Sequence, residues 1–370
     1  MRKIGLVDLV GVIKFYLQSK KTLDKDINSI FKEQFKSDFV LVKQGRTAMQ
    51  ALIEDFNLKG SEIILPSFIC SDIFANLFIQ NNITPKIVDC RKNRFNVDIR
   101  DVKKEITKKT KAILIVHTYG IPNDPRPFKR LCKKRGILLI EDCAHCINLK
   151  FKEKCLGSYG DAAIFSFVKE MPNYMGGLYV NNLRGINMEV KEKINPSNLS
   201  REDLFLLLDK SSISRLLKEF KRRLFKNKGI SNLYKKIELS DMSKLSKAIF
   251  CYYINKIDTN KKRELALTLR KKLKDKKKYV FALDENEIKK SSAKCFPFIV
   301  KNKVEIIKKM ENLGFYPGKG WVPSFSNNIL ARRKWNLPKT KIAEGYEKNL
   351  VNLDLDELDE NKIEKLVEIF

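Results

Sequence analysis

The chain has 370 residues, 74 Lys+Arg against 44 Asp+Glu and a formal net charge of +30. Its 43% hydrophobic and 10% aromatic residues exclude a wholly disordered chain, and 16 Gly with 11 Pro exclude collagen-like and low-complexity classes. The length predicts two or three domains at about 150 residues each, and no apolar run reaches the roughly 20 residues that span a bilayer.

The longest apolar stretch, residues 4–17, is interrupted by Asp8 and Lys14. With Met1-Arg2-Lys3 ahead of it, it mimics a signal peptide. An acid inside the apolar core and no small-residue cleavage site argue against export. A cytoplasmic protein is expected, with its eight cysteines as reduced thiols. Residues 22–36 follow as an amphipathic helix, with Ile27, Ile30, Phe31 and Phe35 at helical spacing.

From there, short apolar strands alternate with helices. The predicted strands are 39–42, 63–65 (ended by Pro66), 87–88 (ending at Asp89), 112–116 (before His117), 137–140 (ending at Glu141-Asp142), 162–167 and 177–180. The predicted helices between them are 48–56, 72–80 and 127–134. This alternation predicts an α/β sheet with parallel crossovers, and strands without polar alternation predict that both sheet faces are covered. Residues 183–280 read as mostly helical and Lys/Arg-rich. The segment 213–225 is a basic amphipathic helix, compatible with an anionic membrane surface but also with an ordinary core-covering helix. A strand at 296–300, a helix at 303–313, a Gly/Pro-rich loop at 317–323 and a last helix at 360–370 complete the pattern.

In an open α/β sheet, ligands sit at the carboxyl ends of the parallel strands. Gly45-Arg46-Thr47, Asp89, His117, Asp142, Ser166 and Lys169 all fall at strand ends. Pyridoxal phosphate needs a lysine amine, a carboxylate facing the pyridine nitrogen and a helix N-terminus with a hydroxyl for the phosphate. Lys169, Asp142 and the Gly45-Arg46 helix start with Ser166 offer one candidate for each. His117 reads as structural. Cys143-Ala144-His145-Cys146 is a C-x-x-C pattern, but it follows Glu141-Asp142 and lacks a second well-spaced pair, so neither a redox nor a zinc site is expected.

The segments QGRTAMQAL (44–52), EIILPSFIC (62–70), IVDC…FNVD (87–98), KAILIVHTYG (111–120), GILLIEDCAH (136–145) and LGSYGDAAIFSF (156–167) resemble, in order and spacing, the DegT/DnrJ/EryC/StrS family of pyridoxal-phosphate-dependent sugar aminotransferases. The resemblance implies fold type I. The division it suggests is a large, mixed, mostly parallel sheet domain at 1–240, with 183–240 as a divergent basic segment, and a smaller C-terminal α/β domain at 241–370. It implies Lys169 as the Schiff-base lysine, Asp142 at the pyridine nitrogen and His145 near the ring oxygen. Ser166, Gly45 and Arg46 fall at phosphate-binding positions. The ring-stacking position is Cys70, which cannot stack, leaving Phe68 or His145 to cover the ring. SFVKEMPNYMGG (166–177) is a shorter version of the family's lysine loop, and its only lysine is Lys169. The family's Asn-x-Arg-Met segment appears as Leu239-Ser240-Asp241-Met242.

The implied reaction is amino transfer from an amino acid, glutamate by the resemblance, to a nucleotide-linked keto-sugar by a homodimer, as in surface-polysaccharide or deoxyaminosugar synthesis. One alternative is sugar dehydration, which relatives perform typically without the lysine. The other is a catalytically idle basic binding protein. The sequence lacks the aromatic-basic module of a nucleic-acid binder.

Overall fold

The computed structural model describes residues 6–92, 94–173, 175–197, 236–274, 276, 279–315, 317 and 323–370. The basic helix expected at 213–225 and most of the loop at 317–323 lie outside them. The strands are β1 Asp38–Val42, β2 Glu62–Pro66, β3 Thr84–Val88, β4 Thr110–Val116, β5 Leu138–Asp142, β6 Lys150–Phe151, β7 Lys154–Cys155, β8 Ala162–Ser166, β9 Gly177–Asn181, β10 Tyr279–Ala282, β11 Cys295–Val300 and β12 Leu350–Asp354. The helices used below are α1 Leu6–Tyr16, α2 Lys20–Gln34, α3 Gly45–Asp55, α4 Ser71–Gln80, α5 Ile99–Glu105, α6 Pro125–Arg135, α7 Met188–Glu192, α8 Lys244–Tyr253, α9 Thr259–Leu273, α10 Glu285–Lys290, α11 Lys303–Asn312, α12 Ile329–Lys334, α13 Lys341–Asn349 and α14 Glu360–Val367. Among the described residues, no helix is long and apolar enough to cross a membrane.

The chain forms two compact units, Met1–Asn57 with Asp161–Ile257 and Leu58–Gly160 with Asp258–Phe370. This division differs from a single cut near residue 240. β1 pairs antiparallel with β9, in register from Asp38↔Asn181 to Val42↔Gly177, which binds the N-terminal segment to residues far along the chain.

In the first unit, β9 runs antiparallel to both β1 and β8. α2 starts where Ser19 Oγ accepts the Thr22 N–H at 3.0 Å, an N-cap that satisfies one of the helix's orphan donors. Its buried stripe is Leu23, Ile27 and Phe31. The Phe31 ring lies 5.8 Å from Phe39, 5.9 Å from Phe167 and 5.4 Å from Phe250, so one aromatic cluster ties α2, α8 and the turn after β8 together. Asp55, at the end of α3, is a buried hub. Its carboxylate accepts the Tyr179 hydroxyl, Asn181 Nδ2 at 2.7 Å and the Asn187 amide at 2.9 Å. Those bonds fasten the β9–α7 loop to α3.

In the second unit, β5, β4, β2 and β3 are parallel neighbours in that order. Their side chains Ile64, Val88, Ile113, Ile115 and Leu139 pack with Phe128 and Leu131 of α6. α6 is delimited by sequence alone: Asp124 caps it, Pro125 occupies its first turn, and Gly136 ends it in the left-handed region at φ 62°. β10, β11 and β12 form an antiparallel sheet, covered by α9, α11 and α14 around Leu269, Phe296, Phe298, Met310 and Leu366. Asp89 lies at the end of β3 and caps α13, accepting the Ile342 and Ala343 amides at 2.9 and 3.0 Å. Its position at a strand end therefore serves the fold.

Candidate active site

The first unit carries the phosphate-type residues. β1 ends at Val42, and α3 begins at Gly45 after Gln44, whose side chain makes no cap bond to the helix amides. The first amides of a helix have no partner within it and carry the positive end of its dipole. Ser166, the last residue of β8, stands beside them: a Cβ on Gly45 would lie 3.1 Å from Ser166 Cβ and 3.5 Å from its hydroxyl. Uncapped amides with an adjacent hydroxyl form an anion cradle. Arg46 is exposed on the first turn, and its Nε donates to Gln44 Oε1 at 2.5 Å.

Lys169 closes the 3-10 turn Phe167–Lys169 directly after β8. The turn is anchored by Phe167, which is fully buried and 4.6 Å from the Phe250 ring, and by the Phe167 amide bonded to the Gly176 carbonyl at 3.0 Å. Asn173 Nδ2 donates to the Ser246 carbonyl at 2.9 Å and holds the rest of the loop. Lys169 is exposed at the end of this braced turn, so its position is fixed by the backbone while its amine stays accessible.

The second unit carries the ring-type residues. Asp142 ends β5, is 7% exposed, and accepts the Ala144 amide at 3.0 Å on Oδ1. His145 is three residues on, in the turn closed by the Cys146 amide on the Cys143 carbonyl. Its Nδ1 accepts the Tyr119 amide at 3.1 Å, which puts the proton of the neutral ring on Nε2. The Tyr119 ring is stacked on it at 6.2 Å. Phe68 is placed differently from its expected role. It is fully buried, with Phe95, Tyr119 and Tyr346 around it at 5.4, 6.3 and 5.8 Å, so its faces belong to the core. Cys70 is half-buried at the N-cap of α4.

A buried pair beneath Asp142 was not foreseen. Glu141 and His117 have wholly buried side chains, and His117 Nε2 meets Glu141 Oε2 at 3.1 Å. His117 Nδ1 accepts the Asn123 amide at 3.0 Å, so the proton between ring and carboxylate sits on Nε2. Glu141 Oε1 accepts the Tyr159 and Gly160 amides at 2.9 and 2.6 Å. The sequence signal was an acid inside an apolar strand, but its partner lies just past the end of the neighbouring β4. Cys143 lies close enough to His117 and Glu141 to suggest a metal triad. Both His117 nitrogens are already engaged, and burial, with the Cys143 S–H donating to Cys146, pushes the Cys143 thiol well up, which disfavours the thiolate a metal requires. None of the eight cysteines is in a disulfide.

The residues present fit pyridoxal phosphate in each unit separately. The anion cradle and Lys169 lie in the first, and the buried carboxylate with an adjacent imidazole lies in the second.

Among curated proteins, the chain is 32% identical over 173 residues to GDP-perosamine synthase of Escherichia coli O157:H7, covering 45% of this chain and 47% of that one. It is 36% identical over 129 residues to dTDP-3-amino-3,6-dideoxy-alpha-D-galactopyranose transaminase of Aneurinibacillus thermoaerophilus, covering 34% and 35%. The matched part thus spans between about a third and a half of the length of these relatives. Solved structures match over nearly the whole chain. Helicobacter pylori PseC, an aminotransferase of pseudoaminic acid biosynthesis, has a TM-score of 0.70 at 19% identity, covering 97% and 95%. E. coli GDP-4-keto-6-deoxy-D-mannose-3-dehydratase with bound hydrated PLP has 0.70 at 22%, covering 97% and 96%. These likenesses establish the α/β fold of type I. The sequence profile of the DegT/DnrJ/EryC1/StrS aminotransferase family, which works with pyridoxal phosphate, matches residues 25–369, and the chain belongs to that family.

Proposed function

We propose that the protein transfers an amino group from an amino acid, glutamate, to a nucleotide-linked keto-sugar, acting in the cytoplasm as a homodimer. The observation that carries the reading is Lys169, held exposed on a braced turn three residues after Ser166, whose hydroxyl borders the uncapped start of α3. The curated relatives named above act on GDP- and dTDP-linked sugars, which supports a nucleotide-sugar substrate.

In this reading the α3 amides and Ser166 bind the phosphate, with Arg46 at its rim. Pyridoxal phosphate, when bound, supplies the carbonyl that accepts the amine and the ring that delocalises electrons from the reacting carbon. Asp142 holds a proton on the ring nitrogen, because a carboxylate within hydrogen-bond reach favours the charged pyridinium. His145 orients the ring through its Nε2 proton, its other nitrogen being fixed by the Tyr119 amide. Lys169 would serve as the general acid and base of the proton transfer. The large catalytic part at 1–240 and the smaller part at 241–370 remain the proposed functional division.

The test adds pyridoxal phosphate to the purified protein, reduces with borohydride and maps the modified peptide. A mass increase at Lys169, absent in Lys169→Ala, is expected. No adduct in folded protein overturns the reading. Incubation with glutamate and a GDP- or dTDP-linked 4-keto-sugar then separates the alternatives. Retained nitrogen in the product supports transamination, and loss of a ring hydroxyl indicates dehydration, as performed by the structurally similar dehydratase.

A further inference from the structure

The first helix keeps one face on its own unit and leaves another in water. α1 packs on α8. A Cβ on Gly11 would lie 1.9 Å from Tyr252 Cε2, so a larger residue there would displace the Tyr252 ring. The Tyr252 hydroxyl donates to Asp8 at 2.9 Å, Lys256 stands 3.6 Å from the same carboxylate, and Val12 is fully buried. The other face carries Val10, Ile13 and Leu17, which are 65%, 46% and 78% exposed. The Leu17 amide bonds the Ile13 carbonyl at 2.9 Å, so the helical turn continues through it. Spacing of three and then four residues puts the three side chains in one stripe.

Single exposed apolar residues need no explanation, but an aligned stripe marks an interaction surface. Charge identifies what it fits. Between Leu9 and Leu23 the charged residues are Lys14, Lys20 and Lys21, with no acid. Lys14 is exposed beside the stripe. Asp8, the preceding acid, is engaged by Tyr252 and Lys256. The helix precedes residue 25, where the family's sequence profile begins. An apolar stripe flanked by lysines suits an anionic lipid surface. The apolar side chains enter the acyl boundary while the ammonium groups stay among the head groups.

We propose that α1 is an interfacial helix that docks this protein on an anionic bilayer through Val10, Ile13 and Leu17, with Lys14 and Lys21 at the head groups. Docking is reversible, because one short stripe supports only modest affinity.

The test is co-sedimentation of the full-length protein with vesicles of phosphatidylcholine alone and of phosphatidylcholine with about one-third phosphatidylglycerol. Binding to the anionic vesicles alone is expected, and it falls steeply as salt rises from about 0.1 to about 0.5 M. The triple variant V10S/I13S/L17S should bind about tenfold or more weakly, as loss of apolar burial requires. These side chains are exposed, so its far-UV circular dichroism and melting should match the parent. Ile13→Trp supplies a direct readout, since its fluorescence should shift to the blue with anionic vesicles and not with neutral ones. Absence of binding, or equal binding by the triple variant, overturns the proposal. So does a change in oligomeric mass in the triple variant without a change in lipid binding, which would assign the stripe to contacts between copies.

Discussion

Glu141→Gln is a substitution of nearly constant shape whose cost follows from the direction of each hydrogen bond. Glu141 Oε1 accepts two amides, from Tyr159 and Gly160, and Oε2 faces His117 Nε2. The Asn123 amide fixes His117 Nδ1 as an acceptor, so Nε2 carries hydrogen. A glutamine must keep its oxygen on the two amides, and its NH2 then faces an N–H. Flipping the imidazole tautomer only moves the conflict to Asn123. Both side chains are fully buried, so no water relieves it. Losing one strong bond and stranding buried donors costs roughly 3 kcal/mol, within the range of about 1–3 for each stranded group. In a unit of this size that lowers the melting temperature by roughly 6–12 °C. Thermal unfolding followed by circular dichroism measures it. The double variant with His117→Leu removes the opposed N–H, so its loss should fall short of the sum of the single losses by about 1 kcal/mol or more. A Glu141→Gln protein that melts within about 2 °C of the parent, or strict additivity in the double variant, refutes the assignment of proton positions.

Three further outcomes follow from geometry. Asp98 caps α5 and is gripped by the Arg100 side chain and amide, with Arg91 behind, and these hold its carboxyl down at about 2, below its ordinary 3.8. A depressed pKa gives stability that is present above the ordinary value and lost as pH falls toward 2, so Asp98→Asn should flatten the acid limb of stability between about pH 4 and 2 and leave its slope near neutrality unchanged. Iodoacetamide on native protein should label the half-buried Cys70, Cys155 and Cys295 well before the other five; burial pushes the Cys251 thiol up to about 12 and Cys143 well above its usual range, and peptide mass spectrometry after brief exposure reads the order. Gly176→Ala places a methyl 2.8 Å from the Phe167 ring and 2.9 Å from Met242 Cε at φ +126°, so denaturant unfolding should show a loss of about 2–4 kcal/mol, and an unchanged midpoint would contradict the loop geometry.

The alternating elements between residues 38 and 181 were legible because each strand is a short apolar run with an abrupt end. Boundaries slipped where polar residues sit inside a strand. β4 starts at Thr110 because Lys111 is exposed between buried neighbours, and β3 includes Pro85 because it pairs on one side only, with β2. The antiparallel pairing of β1 and β9 was not legible, since a two-residue period carries no direction. The opening apolar stretch read as a near-signal peptide because hydrophobicity was summed along the chain. Its exposure divides it by face, with Val12 buried and Leu17 in water. Phe68 was assigned by sequence position alone, and three aromatic neighbours claim it for the core.

The dipeptide Glu141-Asp142 joins what was legible to what was not. Consecutive residues of a strand point to opposite faces, so two adjacent acids cannot share one environment. The register Ile115↔Glu141 and Val116↔Asp142 delivers Glu141 to His117 and to the Tyr159 and Gly160 amides. A slip of one residue would exchange the two acids. Asp142, a methylene shorter, would then have to span to His117 and two amides, and Glu141 would take the strand's last position. The buried pair therefore selects one register of β5 against β4, and that register alone sets Asp142 at the strand's end with Oδ1 on the Ala144 amide. Fold and site meet in adjacent residues: one acid is consumed in fixing the strand, which leaves the other placed for chemistry.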